Sequence, residues 1–195
     1  MMNRLNRILG IFVLWGMVSC GGDDNYVPKP HAFPKIELPS KVYSTAKISG
    51  SPYEFEIPQY ARISEDARNR GKHWYNVDFP QLNATLHMTY YPFSNWADYD
   101  SMVNDTRSLV NKHLQKAEDI IEDPVEMYNP QLHGVIFHIE GNTASNLNFY
   151  VTDSARHFLR GALYFNVQTE PDSIMPVFKF LEKDVQHVLK TLKWK

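Results

Sequence analysis

The sequence predicts an α+β fold, in which an antiparallel sheet of about six or seven strands packs against two amphipathic helices. Short segments in which apolar and polar residues alternate predict strands in both halves of the chain. Two longer segments have apolar residues at every third or fourth position, which predicts helices, and one follows each set of strands. Because the strands occur in runs and do not alternate with helices, we expect neighbouring strands to be antiparallel.

The first half of the chain contains four predicted strands and the first helix. The strands are predicted at residues 53–57, 60–63, 74–79 and 84–91. In the last of these, Leu86, Met88 and Tyr90 lie on one face, because successive side chains of a strand point to opposite sides. The helix is predicted over 96–117, with Asn95 as its N-cap residue.

The second half returns to strands and ends in a helix. These strands are predicted at residues 119–128, 133–140, 146–152 and 157–167. Asp172 and Ser173 are predicted to cap the final helix, with Pro176 in its first turn, where the missing N–H of proline costs no hydrogen bond. The order of elements resembles the Mog1/PsbP-like sandwich, although a fold does not define a function.

Residues 1–19 have the organisation of a removable signal peptide. Arg4 and Arg7 precede a short apolar stretch, residues 8–18. About eleven apolar residues are too few to cross a bilayer as a helix, which needs about 20. The segment therefore predicts export and not a membrane span.

The residues Met17-Val18-Ser19-Cys20 resemble a lipobox, with Met17 where leucine is usual. The resemblance implies a diacylglycerol on the Cys20 thiol, cleavage before this residue and acylation of the new amino group, with palmitate as an expected acyl chain. Several acyl chains give a stable membrane anchor. Cys20 is the only cysteine of the chain, so the sequence excludes an intramolecular disulfide and a thiolate metal site.

Residues 20–41 are predicted to form a lipid-anchored, proline-rich tether, and residues 42–195 a single α+β domain. Proline biases a chain toward extended conformations, so the tether is expected to be semi-rigid. Asp23 and Asp24 follow the lipidation site, where sorting machineries read charge. We expect attachment to the outer membrane of a Gram-negative cell envelope, and the sequence leaves the leaflet open.

The composition argues against several functional classes. The formal net charge is −2 and no segment concentrates lysine and arginine, so we expect no nucleic-acid partner. His133 and His138 are five positions apart on a predicted strand, so they point to opposite faces. His73, His87 and His157 could converge only through the tertiary structure. We predict no metal site and no cofactor.

Asp153, Ser154 and His157 are the residue types of a hydrolase triad, but they fall within five residues at a predicted turn. No Gly-x-Ser-x-Gly elbow surrounds Ser154. Turn formation between two strands explains Asp153 and Ser154 more simply. The sequence therefore predicts a protein without catalytic residues.

Residues 141–148 connect two predicted strands and are rich in small and amide-bearing side chains. Such a loop can offer hydrogen bonds to a partner, or its polar groups can be satisfied within the domain, and the sequence leaves both alternatives open. The candidate partner contacts are Tyr26, Pro28, Lys29 and Pro30 of the tether and Asn142, Ser145, Asn146 and Asn148 of the loop.

Residues 141–145, 149–154 and 157–165 together resemble the signature of the gliding-motility lipoprotein GldD family. Residues 26–30 and the C-terminal residues 189–195 are similar to that family as well. The resemblance implies a lipoprotein required for gliding over surfaces and for type IX protein secretion, and it brings no catalytic residues with it.

The leading hypothesis is a non-enzymatic assembly or stabilising component that contacts proteins of the gliding and type IX secretion machinery from its membrane anchor. An alternative is an envelope lipoprotein that binds peptidoglycan or carbohydrate, because the chain has 11 Phe, 11 Tyr and 4 Trp residues that could stack on sugars. A third hypothesis is an envelope hydrolase that uses Asp153, Ser154 and His157.

Overall fold

The computed structural model describes residues 36–67, 72–113, 116–141, 143–166 and 171–195, and of residues 171–173 it describes the backbone alone. The predicted signal peptide, Cys20 and most of the predicted tether lie outside these ranges.

The described residues contain eleven strands and two α-helices. In chain order they are β1 (Tyr43–Thr45), β2 (Tyr53–Glu54), β3 (Glu56–Pro58), β4 (Arg62–Glu65), β5 (Tyr75–Phe79), β6 (Ala84–Pro92), α1 (Trp96–Asn111), β7 (Ala117–Pro124), β8 (His133–Gly141), β9 (Leu147–Thr152), β10 (His157–Phe165), α2 (Pro171–Thr191) and β11 (Lys193–Trp194).

Strands β4 to β10 form one sheet in the order β4-β5-β6-β10-β9-β8-β7, and every neighbouring pair is antiparallel. Two small two-stranded sheets, β1 with β3 and β2 with β11, are antiparallel as well. A seven-stranded antiparallel sheet with two helices confirms the predicted α+β fold class.

Each face of the large sheet packs against one helix, because the side chains of the central strands alternate between the faces. Leu86 of β6 and Leu163 of β10 pack in one cluster with Leu181 of α2, and all three are at most 1% exposed. Phe158 of β10 belongs to a second, smaller cluster with Val110 of α1. Full burial of one such side chain contributes about 1.5–3 kcal/mol, so both helices stabilise the sheet. The predicted shared face of β6 is confirmed, since the cluster beside α2 includes Leu86, Met88 and Tyr90.

Helix α1 begins as predicted and ends earlier. The side chain of Asn95 accepts a hydrogen bond of 2.9 Å from the Asp98 amide, which is the expected N-cap. The helix ends at Asn111, whereas the apolar spacing predicted residue 117. Ala117 instead begins β7 and pairs with Gly141 of β8, so pairing in the sheet overrides the helical periodicity at this point.

The predicted strand at 119–128 also has different bounds. It begins two residues earlier and ends at Pro124, because Val125–Met127 form a 3-10 turn in which the Tyr128 amide bonds the Val125 carbonyl at 2.9 Å. Strand β10 ends at Phe165, two residues before the predicted end.

The C-terminal helix is confirmed, with a start one residue before Asp172. Because α2 begins at Pro171, Pro176 is its sixth residue and lies beyond the first turn that the sequence predicted. A proline at this position removes one intrahelical hydrogen bond, which the buried side of the helix must offset. The prediction that Asp172 and Ser173 cap this helix is wrong, because the N-cap residue precedes the first helical residue and both lie after Pro171.

Candidate functional site

A buried carboxylate on α2 holds residues 41–43 against this helix. Asp184 is 0% exposed and accepts a hydrogen bond of 2.7 Å from the Tyr43 hydroxyl of β1. The Tyr60 hydroxyl donates to the second carboxylate oxygen. The Lys41 ammonium forms an ion pair with the carboxylate and also donates to the Phe180 carbonyl at 2.8 Å. A buried charge persists only where opposite charge and hydrogen-bond donors surround it, and these three donors satisfy the Asp184 carboxylate.

Aromatic rings enclose the Asp184 cluster, which consists of Lys41, Tyr43, Tyr60 and Asp184. The Tyr43 ring stacks on His187 of α2 with 3.6 Å between ring centroids. Burial, followed by the hydrogen bond to Asp184, raises the pKa of both tyrosines, so both hydroxyls remain donors at neutral pH. The cluster therefore connects β1 and Tyr60 to α2 by polar as well as apolar contacts.

One sequence signal points to Asp184, although no pattern predicts its partners. Asp184 lies three residues after Leu181 and one before Val185, so the helical period places its carboxylate on the apolar side of α2. A carboxylate on a buried helix face requires donors from elsewhere. Lys41 and Tyr43 are 143 and 141 positions away, and only the tertiary structure brings them to it.

The described polar side chains of the loop between β8 and β9 donate hydrogen bonds to backbone carbonyls of this chain. Ser145 is 0% exposed, and its hydroxyl donates to the Leu163 carbonyl at 2.8 Å. The Asn146 amide donates to the carbonyls of Ile139 and Gly141 at 2.8 and 3.1 Å. These bonds give both side chains a structural function, and partner contact at this loop stays a prediction. Asn142, Tyr26, Pro28, Lys29 and Pro30 lie outside the described residues.

Asn148, at the start of β9, differs from these loop residues. It is 9% exposed and lies opposite Ala162 of β10. Its amide nitrogen is buried and has no hydrogen-bond partner among the described residues. The side chain lines a cavity beside α1.

Asp153 organises the turn between β9 and β10. One of its carboxylate oxygens accepts hydrogen bonds of 2.8–2.9 Å from the backbone amides of Ala155, Arg156 and His157. Burial raises the pKa of Asp153, but these three bonds outweigh burial and leave the pKa below its ordinary value. The carboxylate therefore serves the turn, as the turn interpretation of the sequence predicts.

The His157 ring is engaged with the core and not with Ser154. Its Nδ1 is 2.7 Å from the Tyr90 hydroxyl, and the ring stacks on Trp194 of β11 with centroids 5.0 Å apart. His73 also contacts the Tyr90 ring, at a centroid distance of 6.1 Å. His87 points to the other face of the sheet, where its Nδ1 is 2.8 Å from the Asn76 side-chain oxygen.

The two histidines of β8 point to opposite sides of the strand. His133 lies 2.9 Å from Glu126, and His138 lies between Asp123 of β7 and Glu182 of α2, at 3.2 and 3.0 Å. In the part of the chain that the structure describes, no three His, Cys, Asp or Glu side chains are grouped as metal ligands would be.

The chain has the organisation of a lipoprotein with an α+β domain, because a lipobox-like sequence at Cys20 precedes the seven-stranded sheet. Neither described helix is long and apolar enough to cross a membrane. The family described as Gliding motility lipoprotein GldD matches residues 23–194, and the chain belongs to this family. The family makes the protein a gliding-motility-associated lipoprotein that is anchored by lipid in the cell envelope.

No curated protein matches the sequence. Among solved structures the chain is similar to the solution structure of cyanobacterial PsbP (CyanoP) from Synechocystis sp. PCC 6803, with 9% identity, 92% of this chain and 99% of that chain covered, and a TM-score of 0.47. A likeness of this size says nothing about function.

Proposed function

We propose that the protein is a non-enzymatic assembly or stabilising component of the machinery for gliding and type IX secretion. It is held in the outer membrane by acyl chains on Cys20 and acts through contacts with other proteins of that machinery. The observation that carries the proposal is the family match, which extends over residues 23–194 and so includes the predicted tether as well as the sheet domain.

The Asp184 cluster supports a mechanical function for the N-terminal segment. Residues 41–43 continue toward Cys20 along the chain, and the ion pair and hydrogen bonds of Lys41 and Tyr43 fasten them to α2. We expect these contacts to keep the domain folded when a bound partner and the membrane anchor pull the chain in opposite directions. The proposed contact surfaces are the tether around residues 26–30 and the loop at 141–148.

The turn at Asp153 supports the non-enzymatic part of the proposal. Its carboxylate bonds three backbone amides, and His157 bonds Tyr90, so each group has a structural partner. We expect a Ser154→Ala copy to restore gliding and secretion fully in a strain that lacks the protein. Failure of this copy, at normal protein level, would favour the hydrolase hypothesis.

The test of the proposal is a deletion in the native host, scored for colony spreading and for proteins released into the medium. We expect both to be lost, the wild-type copy to restore both, and a Cys20→Ser copy at the same protein level to restore neither. Normal spreading and secretion in the deletion strain would contradict the proposal.

Proximity cross-linking in the complemented strain identifies the partners. We expect cross-links to secretion-system proteins. Cross-links to none of them, together with retention of the protein on isolated peptidoglycan sacculi, would favour the ligand-binding alternative.

A further inference from the structure

An open cavity of about 510 Å³ lies between the C-terminal half of α1 and the α1 side of the large sheet. Thr89, Asn148 and Arg160 line it from β6, β9 and β10, and Lys112 and His113 line it from the end of α1. The volume is within the range of small-molecule sites, which is about 300–1,000 Å³. The cavity is remote from the Asp184 cluster in the fold, since α2 and α1 pack on opposite faces of the sheet.

The lysine and arginine side chains that line the cavity give it a positive charge. Arg160 and Lys112 contribute two permanent positive charges, and none of the described residues that line the cavity is an aspartate or glutamate. Among the described residues the structure shows no hydrogen bond or ion pair for the side chain of Arg160 or Lys112. Arg160 is half-buried and has no protein partner among the described residues, so its guanidinium is available to bind a carboxylate or phosphate.

Asn148 is a further polar residue that lines the cavity. It is 9% exposed, and its buried amide nitrogen has no partner in the described part of the chain. Its neighbour across the strands is Ala162, which lines the cavity as well.

We propose that this cavity binds the phosphate group of a small organic phosphate. The Arg160 guanidinium and the Lys112 ammonium neutralise the phosphate dianion. Two cations match a dianion better than they match a single carboxylate. Leu109 and Ala162 provide an apolar wall for the organic part of the ligand. The inference does not depend on the proposed function.

Of the two histidines that line the cavity, His113 adds little charge. His87 has its Nδ1 2.8 Å from the Asn76 side-chain oxygen. Burial lowers the pKa of His113, which favours the neutral ring near pH 7. Binding is therefore expected to depend on Arg160 and Lys112, and to weaken as salt concentration rises.

The test is isothermal titration calorimetry of the full-length chain in a non-ionic detergent, with glycerol 3-phosphate, glycerol and a short-chain phosphatidic acid as probes. We expect glycerol 3-phosphate to bind and glycerol not to bind. Arg160→Gln should weaken binding roughly tenfold or more, because a charge-assisted contact is lost. Lys112→Gln, at an exposed position, should weaken it as well.

The matched control is Arg156→Gln, which removes the same charge from the exposed turn between β9 and β10. Equal affinity of the Arg160→Gln and Arg156→Gln variants, or no binding of either phosphate probe at millimolar concentration, would overturn the proposal. Binding of the phosphatidic acid alone, with the same dependence on Arg160, supports the site and identifies a lipid headgroup as the source of the phosphate. Binding of glycerol 3-phosphate supports the site and identifies a soluble molecule as the source of the phosphate.

Discussion

His138 is a histidine between two carboxylates, and its position makes the stability of the fold depend on pH. Its Nδ1 is 3.0 Å from Glu182 of α2 and its Nε2 is 3.2 Å from Asp123 of β7, although Nε2 is not aligned for a hydrogen bond. The hydrogen bond to Glu182 raises the pKa of His138, and this effect exceeds the opposing effect of burial. Protonated His138 therefore links β7, β8 and α2.

We predict that His138 stabilises the folded protein in weakly acidic solution. Since its pKa is higher in the folded than in the unfolded chain, the contribution is complete below the ordinary value of 6.5 and is lost as pH rises through the raised pKa. The free energy of unfolding, measured by urea denaturation from about pH 6 to about pH 8, should fall more steeply for the wild type than for His138→Gln. Replacement of the exposed His133 by glutamine is the control. Parallel pH profiles for wild type and His138→Gln would contradict the prediction.

At the scale of elements, the ring of a phenylalanine on β9 lies over a glycine on β10. Gly161 pairs with Phe149 in the register of these strands, and Phe149 is 0% exposed. A Cβ atom on residue 161 would lie 2.2 Å from the Phe149 ring, so the ring occupies the space that a side chain would need. Substitution at Gly161 therefore acts through packing in the core next to α2.

We predict that Gly161→Ala destabilises the protein by about 1–3 kcal/mol, because the buried ring cannot move away without strain. Thermal and urea denaturation measure the loss. The double variant with Phe149→Leu is the control, since the smaller side chain relieves the clash and the two substitutions should not be additive. Additive losses in the double variant would show that the ring is not the cause.

The edge strand β7 is rich in acidic side chains. It carries Glu118, Asp119, Glu122 and Asp123 within eight residues at one edge of the sheet. Arg107 of α1 binds Glu122 with two hydrogen bonds, of 2.7 and 2.9 Å. Charged side chains on an edge strand oppose pairing with another sheet, so β7 is protected against self-association.

On the scale of the whole molecule, the Asp184 cluster includes a residue from each side of the predicted boundary between tether and domain. The sequence predicts the boundary between tether and domain at residue 42. Lys41, on the tether side of this boundary, forms the ion pair with Asp184, which indicates that a stable domain requires residues before 42. The boundary itself stays a prediction until chains of different length are compared.

We predict that a chain of residues 36–195 is more stable than a chain of residues 44–195 by roughly 3–5 kcal/mol, because the shorter chain leaves a buried carboxylate without its cation. Urea denaturation of both chains gives the difference. Asp184→Leu in the shorter chain should recover part of the loss, since it removes the unpaired charge. Equal stability of the two chains, or no recovery with leucine, would contradict this account.

The amino-acid sequence alone determined the features that depend on local pattern. Alternation and helical spacing predicted the α+β class, both helices and most strands, because one face of each element must be apolar to be buried. Short motifs predicted Cys20 as the lipidation site, which stays a prediction, and the family membership, which is confirmed. The early end of α1 was not predictable, because pairing of Ala117 with Gly141 decides it against the local period.

Only the tertiary structure decided which distant residues meet. The partners of Asp184 come from positions more than 120 residues away, and helix α1 and three strands together form the basic cavity around Arg160 and Asn148. The sequence suggested Ser145 and Asn146 as partner contacts, and the structure shows their bonds to carbonyls of the adjacent strands. The physical reason is that burial and hydrogen bonding depend on neighbours in space, and local periodicity contains no information about them.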